Sequence, residues 1–106
     1  MIEIRICEMG EDRVFLVTGG TAHIGATATA YMGEDGDVLV DVTTLPGHRE
    51  RELAAELAMQ AASALGRTIA VLVGIHLDKP TKQEIADIVE EARLRMAEVL
   101  MRNSAT

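Results

Sequence analysis

The sequence predicts an α+β fold: a two-layer sandwich of four strands, a helix, a fifth strand and a second helix (ββββαβα), with both helices on one face of the sheet. Three observations predict it. The first half alternates apolar and polar residues in short segments separated by Gly- and acid-rich turns. The second half carries two stripes of apolar residues at helical spacing, each with an end signal. Between those stripes lies "TIAVLVGI", an apolar run without alternation, as in a strand covered on both faces.

The elements follow in order. "IEIRIC" alternates and predicts the first strand, with "DRVFLVT" as its antiparallel partner across the "MGED" turn. In "HIGATATAYM", Ile24, Ala26, Ala28, Ala30 and Met32 share one face, while His23, Gly25, Thr27, Thr29 and Tyr31 share the other. "DVLVDVTTL" follows an acidic turn, with Val38, Val40 and Val42 on its apolar side, so these four strands are expected to form an antiparallel meander. The first helix is expected from about His48 to Leu65, with Leu53, Leu57, Ala61 and Ala64 or Leu65 as its stripe and Gly66 as a left-handed cap. Its many alanines permit close approach, which places it on the Ala-rich third strand. The last helix starts at a capping box, Thr81 and Glu84 after Pro80, and turns Ile85, Ile88, Val89, Ala92, Met96, Val99 and Leu100 inward. Two helices cover only one face of five strands. The other face is expected to carry Ile69, Val71 and Val73 or their neighbours, depending on parity, and to be covered in an oligomer, a dimer first of all.

Composition narrows the classes of function. The 106 residues form one expected domain, 1–106. A net charge of −7 argues against nucleic acid and against anionic membrane surfaces, since both attract Lys and Arg. Residues 1–48 hold eight Asp/Glu against two Arg, whereas the remainder is nearly balanced. The cluster "GEDGD" lacks the spacing and closing Glu of a calcium loop and reads as a solvated turn. Cys7 is the one cysteine, which excludes an internal disulfide; within its apolar run a buried thiol is expected. Met59, Met96 and Met101 are expected as core filler and interface rather than a cofactor box. No signal peptide or spanning run is visible, so a cytoplasmic location is expected.

All three histidines stand beside glycines, in "GGTAHIGA", "LPGHRE" and "VGIHLD". Chain reversal gathers them. If the third and fourth strands form a hairpin, His23 at the start of one and His48 after the end of the other lie at one edge. A helix then returns the chain so that the fifth strand runs parallel to the fourth, and its end, with His76, reaches the same edge. Gly19, Gly20 and the first turns of both helices share this rim, where free amides and helix dipoles favour an anion. Arg49, Arg51, Lys79 and Lys82 add positive charge, while "GEDGD" and Arg67 fall at the opposite edge. Each histidine alone reads more readily as a hydrogen-bonding cap than as a ligand. Together His23, His48 and His76 suit a divalent metal with an open position, with Asp78 or Glu50 as a further ligand or orienting group. No nucleophile–base pair stands out, and Thr21 and Thr44 read equally as turn residues.

"TGGTAHIGA", "LPGHRE" and "GIHLD", in this order and on this plan of strands and helices, resemble the LpdD-type prenylated-flavin chaperones, which include the small D subunit associated with gallate decarboxylase. The resemblance runs from "IEIRI" to the last helix. It implies a small non-catalytic accessory of UbiD-type decarboxylases that binds prenylated FMN, made by a flavin prenyltransferase, and helps to deliver or mature it. It also implies His23, Gly25, Gly47, His48, Arg49, Glu50 and His76 as ligand-facing positions. The phosphate is then expected on the Gly19–Gly20 amides or a helix N-terminus, assisted by Arg49. Two other readings stay open on the residues themselves. One is a small metal-dependent hydrolase or lyase using the three histidines; the other is a flavin-free assembly chaperone working through its apolar sheet face.

Overall fold

The computed structural model describes residues 1–47 and 50–103, and among them the order is β1 (Glu3–Met9), β2 (Asp12–Gly20), β3 (Ala26–Met32), β4 (Val38–Thr44), α1 (Arg51–Leu65), β5 (Ile69–His76) and α2 (Lys82–Asn103). This is the expected α+β order. The two expected hairpins form, β1 with β2 and β3 with β4, and both are antiparallel. Their turns use glycine where the backbone goes left-handed, Gly10 at φ 65° and Gly36 at φ 86°.

The hairpins are not neighbours, however. The sheet order is β1-β2-β5-β3-β4, so the expected meander is split by β5, which pairs parallel with β2 and antiparallel with β3. The reason lies in the strands themselves. β5 is the strand with apolar side chains on both faces, and at the centre of the sheet its neighbours on either side keep even Ala70 and Leu72, on the face without helices, half-buried. The direction argument survives the change: β5 runs antiparallel to β3, as β4 does, so its end returns to the rim where β3 begins.

Both helices cover one face. There Phe15 and Val17 of β2, Ala26, Ala28 and Ala30 of β3, and Ile69, Val71 and Val73 of β5 are sealed from solvent. Parity thus puts Ile69, Val71 and Val73 under the helices, not on the uncovered face; the residues that alternate with them, Ala70 and Leu72, point the other way. Helix α1 packs on β3, β4 and β5, with Ala54, Ala58, Ala61 and Ala62 buried against the Ala-lined β3. Small side chains on both partners let helix and sheet approach closely, as the composition predicts. The helix begins at Arg51, three residues later than expected, and ends on Gly66 at φ 64°, whose amide donates to the Ala62 carbonyl at 2.8 Å. Helix α2 packs on α1 and β1, burying Ala92, Met96 and Leu100. A bidentate Arg93–Glu56 pair ties the two helices together.

The uncovered face presents Val14, Leu16, Ala70 and Leu72, flanked by Thr27, Thr29, Thr43 and Asp41. Cys7 lies there too, on edge strand β1, and is exposed. The expected buried thiol is therefore corrected: on β1, Ile4 and Ile6 face the helices, so their neighbour Cys7 points outward. Of the three helical methionines, Met96 fills the core, while Met59 and Met101 are exposed.

Candidate functional site

The β2–β3 connection shapes the rim. Because β5 stands between these strands, residues 21–25 cross over its end, and the glycines of "GGTAHIGA" serve that crossing. A Cβ on Gly74 would overlap the His23 carbonyl oxygen, and one on Gly20, at φ 70°, would overlap that of His76. Only glycine accepts both the close approach and the left-handed backbone. The crossing is fastened by the Gly25 amide, which donates to Val73 O at 2.8 Å, and by the Leu45 amide, which donates to Gly25 O at 3.0 Å. His23 is thereby pinned over the C-terminal end of β5, close to His76.

The rings of His23 and His76 meet edge to face, with centroids 6.3 Å apart. His23 Nδ1 lies 3.0 Å from the Thr21 carbonyl oxygen; a carbonyl only accepts, so Nδ1 is the donor. That leaves Nε2 turned toward Glu50, 3.5 Å from Oε1. The contact is an ion pair whenever the ring is protonated. Glu50 occupies the N-cap position of α1 and its side chain is only 12% exposed. Its carboxylate fills the space over Gly25, where a Cβ would overlap Oε2. Here glycine makes room for an acid beside an imidazole.

These groups form one end of a cleft of about 270 Å³, lined by His23, Gly47, Glu50 and His76 together with a wall of aliphatic side chains. That wall comes from the end of β5 and the loop after it (Ile75, Leu77, Pro80), from Leu53 of α1, and from the first two turns of α2 (Ile85, Ile88, Val89). The capping box is in place: Glu84 N–H donates to Thr81 Oγ1 at 3.0 Å, and Thr81 N–H donates to Glu84 Oε1 at 2.9 Å. The Thr81 backbone N–H foremost, and the Thr81 hydroxyl second, hold the Glu84 carboxyl below its ordinary range.

Among the expected site residues, His23, Gly47, Glu50 and His76 line the cleft, and Gly25 accommodates Glu50. Gly19 and Gly20 lie within β2, paired with Ile75 and His76, and neither lines the cleft. His48 and Arg49 fall outside the described residues, so the third imidazole and the nearest guanidinium have no placement. Among the described residues no three His, Cys, Asp or Glu side chains form a group arranged to hold a metal. Nor is any helix there long and apolar enough to cross a membrane. The aliphatic wall was not foreseen as part of a site. Ile85, Ile88 and Val89 read as core positions in the sequence, and the available signal was length: at 22 residues, about 33 Å, α2 is half again as long as α1.

A rim that combines imidazoles and a carboxylate with an aliphatic wall suits a ligand with polar and hydrocarbon parts. A family model described as the prenylated flavin chaperone LpdD-like domain matches residues 1–104, and the chain belongs to this family. The family handles a ligand of that kind. A comparison with curated proteins returns no match.

Proposed function

We propose that this protein is a non-catalytic accessory that binds prenylated FMN in the rim cleft and passes it to a UbiD-type decarboxylase in the cytoplasm, the cofactor coming from a flavin prenyltransferase. The observation that carries the reading is the division of the cleft in a member of this family: His23, His76 and Glu50 at one end, aliphatic side chains along the rest. The fit is chemical. A flavin's pyrimidine ring offers carbonyl acceptors and an N–H donor, which imidazoles and a carboxylate match. Its dimethylbenzene ring and isoprenoid addition are hydrocarbon, which Ile75, Leu77, Ile85, Ile88 and Val89 match. The bound group supplies redox and electrophilic chemistry to the client enzyme; the residues of this chain hold it and keep water from it.

Gly47, His48, Arg49 and Glu50 complete the ligand-facing set in this reading, and Gly25 acts through the room it leaves for Glu50. The uncovered sheet face is assigned to contact with a second copy, giving a dimer. Purified protein mixed anaerobically with prenylated FMN is expected to carry the flavin through gel filtration, and His23→Ala and Glu50→Gln to retain less. Absence of retention with either oxidised or reduced flavin contradicts the reading.

The juxtaposition of His23 and His76 beside Glu50 supports a second reading, in which these groups with His48 hold a divalent metal. Elemental analysis separates the two. Stoichiometric metal in the wild type that is lost in His23→Ala, His48→Ala and His76→Ala, with turnover of small substrates and no flavin retention, favours a metal-dependent enzyme.

A further inference from the structure

We infer that the free edge of β4 pairs with the same edge of a second copy, antiparallel and in a register centred on Val42, so that two five-stranded sheets join into one. This contact is separate from the one assigned to the uncovered face, and it stands whether or not flavin binds. Three observations carry it.

The first is a difference between the two edges of the sheet, β1 and β4. On β1, Glu3, Arg5 and Glu8 are exposed, and Arg5 Nε donates to Glu3 Oε1 along the strand at 2.9 Å. Charges of this kind keep other chains off a sheet edge. β4, "VLVDVTT", carries one charge, Asp41, and no proline. Its backbone is free on the outer side. The Gly33 amide donates to Asp37 O and the Leu45 amide to Gly25 O, which fixes the odd-numbered residues of β4 as those that bond to β3. The amides and carbonyls of Val40, Val42 and Thr44 therefore point outward, and no described residue bonds to them.

The second is complementarity of charge and polarity between two copies of the strand. A two-fold axis centred on Asp41 sets that carboxylate against its own copy, at a pair without hydrogen bonds, where side chains approach most closely. Centring on Val40 sets Asp41 against Leu39. Centring on Val42 sets Asp41 against Thr43 of the second copy, carboxylate to hydroxyl, and Leu39 against Leu45, which are 46% and 42% exposed in the single chain. Val42 then meets Val42, and Val40 meets Thr44, on the helix side. The two Asp41 residues become diagonal neighbours, roughly 7–8 Å apart, with a Thr43 hydroxyl facing each. Of the three registers, this one alone keeps Asp41 from facing either another carboxylate or a leucine. In a chain of net charge −7, a contact between copies depends on such spacing of its acids.

The third is the space above the join. Two edges related in this way put both α1 helices on the same side of the enlarged sheet. Helix α1 packs on β3, β4 and β5 and so is centred on β3. From one β3 to the other is three strand spacings, about 14 Å, which exceeds a helix diameter of about 10–12 Å. The helices therefore do not collide. Glu56 turns toward α2 through Arg93, and by helical spacing the exposed Met59 lies on the other flank, facing the gap between the two helices. The charged β1 edges stay apart, so the pairing closes at the two-fold axis instead of growing into a filament. Leu45 stands two residues before Gly47 of the cleft, so the join borders the site without using its residues.

The experiment is sedimentation equilibrium of the full chain at micromolar concentration, together with amide hydrogen exchange read by NMR. The wild type is expected to associate, with the Val40, Val42 and Thr44 amides exchanging more slowly in concentrated than in dilute solution. Thr43→Asp places a second acid opposite each Asp41 and is expected to weaken association about tenfold at low salt, and less at high salt. Thr43→Lys is expected to strengthen it several-fold. Val40→Pro removes an outward amide and no bond to β3; a melting curve checks its fold, and it is expected not to pair through this edge. Val14→Lys, on the uncovered face, is expected to leave the protection of the β4 amides in place, which separates the edge contact from the face contact. No concentration-dependent protection of the three amides, equal effects of Thr43→Asp and Thr43→Lys, unchanged pairing in folded Val40→Pro, or loss of protection in folded Val14→Lys each overturns the inference. None of these results touches flavin retention, which gel filtration measures independently.

Discussion

The two halves of α2 carry the same amphipathic pattern and put it to different uses. In the C-terminal half, Ala92, Met96 and Leu100 are buried against α1 and the sheet. In the N-terminal half, Ile85, Ile88 and Val89 repeat the spacing, yet Ile85 is 40% exposed and all three line the cleft. A stripe at positions i, i+3, i+4 records only that one side of a helix avoids water. Whether the opposing surface is the chain's own core or a ligand depends on how far the helix extends over its neighbours. Here the far half closes the domain, and the near half forms one wall of a site.

That contrast can be broken most directly at Met96. Met96→Ala is expected to cost about 3 kcal/mol, from lost transfer energy and a cavity at a fully buried position, measured by urea unfolding. Thr81→Ala, which removes one half of the capping box at the start of the cleft-forming half, is expected to cost about 1 kcal/mol in the same assay. Ile85→Ala is expected to cost about 0.5 kcal/mol or less while weakening flavin retention, because its side chain faces the cleft and not the core. A cost at Ile85 equal to that at Met96 would erase the distinction between the halves.

Acid sharpens the comparison further. Both Glu84, capped by Thr81, and Glu91, which accepts the Ile2 amide at 2.8 Å, titrate below their ordinary range. A depressed folded-state value means that the contribution of each is fully present above the unfolded carboxylate pKa, about 4.3, and is lost as pH falls through the folded value. Stability is therefore expected to decline below about pH 4.3. Glu84→Gln, which keeps the capping geometry with a neutral side chain, is expected to flatten part of that decline. Urea midpoints of wild type and variant across that window check it.

Most of the fold was legible in the sequence. The strands showed as alternation, α1 ended on Gly66, α2 began at Thr81–Glu84, and the alanines of β3 and α1 pointed to their contact. Short turns show only which strands are sequential, not which are neighbours, and "TIAVLVGI" carries the signal against a meander: a strand apolar on both faces belongs in the middle. Cys7 was misplaced for a related reason, since in an alternating strand a neighbour's burial implies exposure. The meeting of His23 with His76 followed correctly from strand direction. The carboxylate of Glu50 over Gly25, and the aliphatic wall, did not, because they depend on contacts between segments distant in the chain.

By itself, then, the sequence determined which segments are strands and helices, where they start and stop, and that two of the histidines share an edge. These are properties of local periodicity, turn chemistry and chain direction, each encoded within a few residues. The tertiary structure alone decided that β5 divides the hairpins, that a glycine-lined crossing brings His23 over its end, and that half of α2 faces a cleft. Those outcomes depend on which surfaces compete for the same buried space, and that competition involves the whole chain at once.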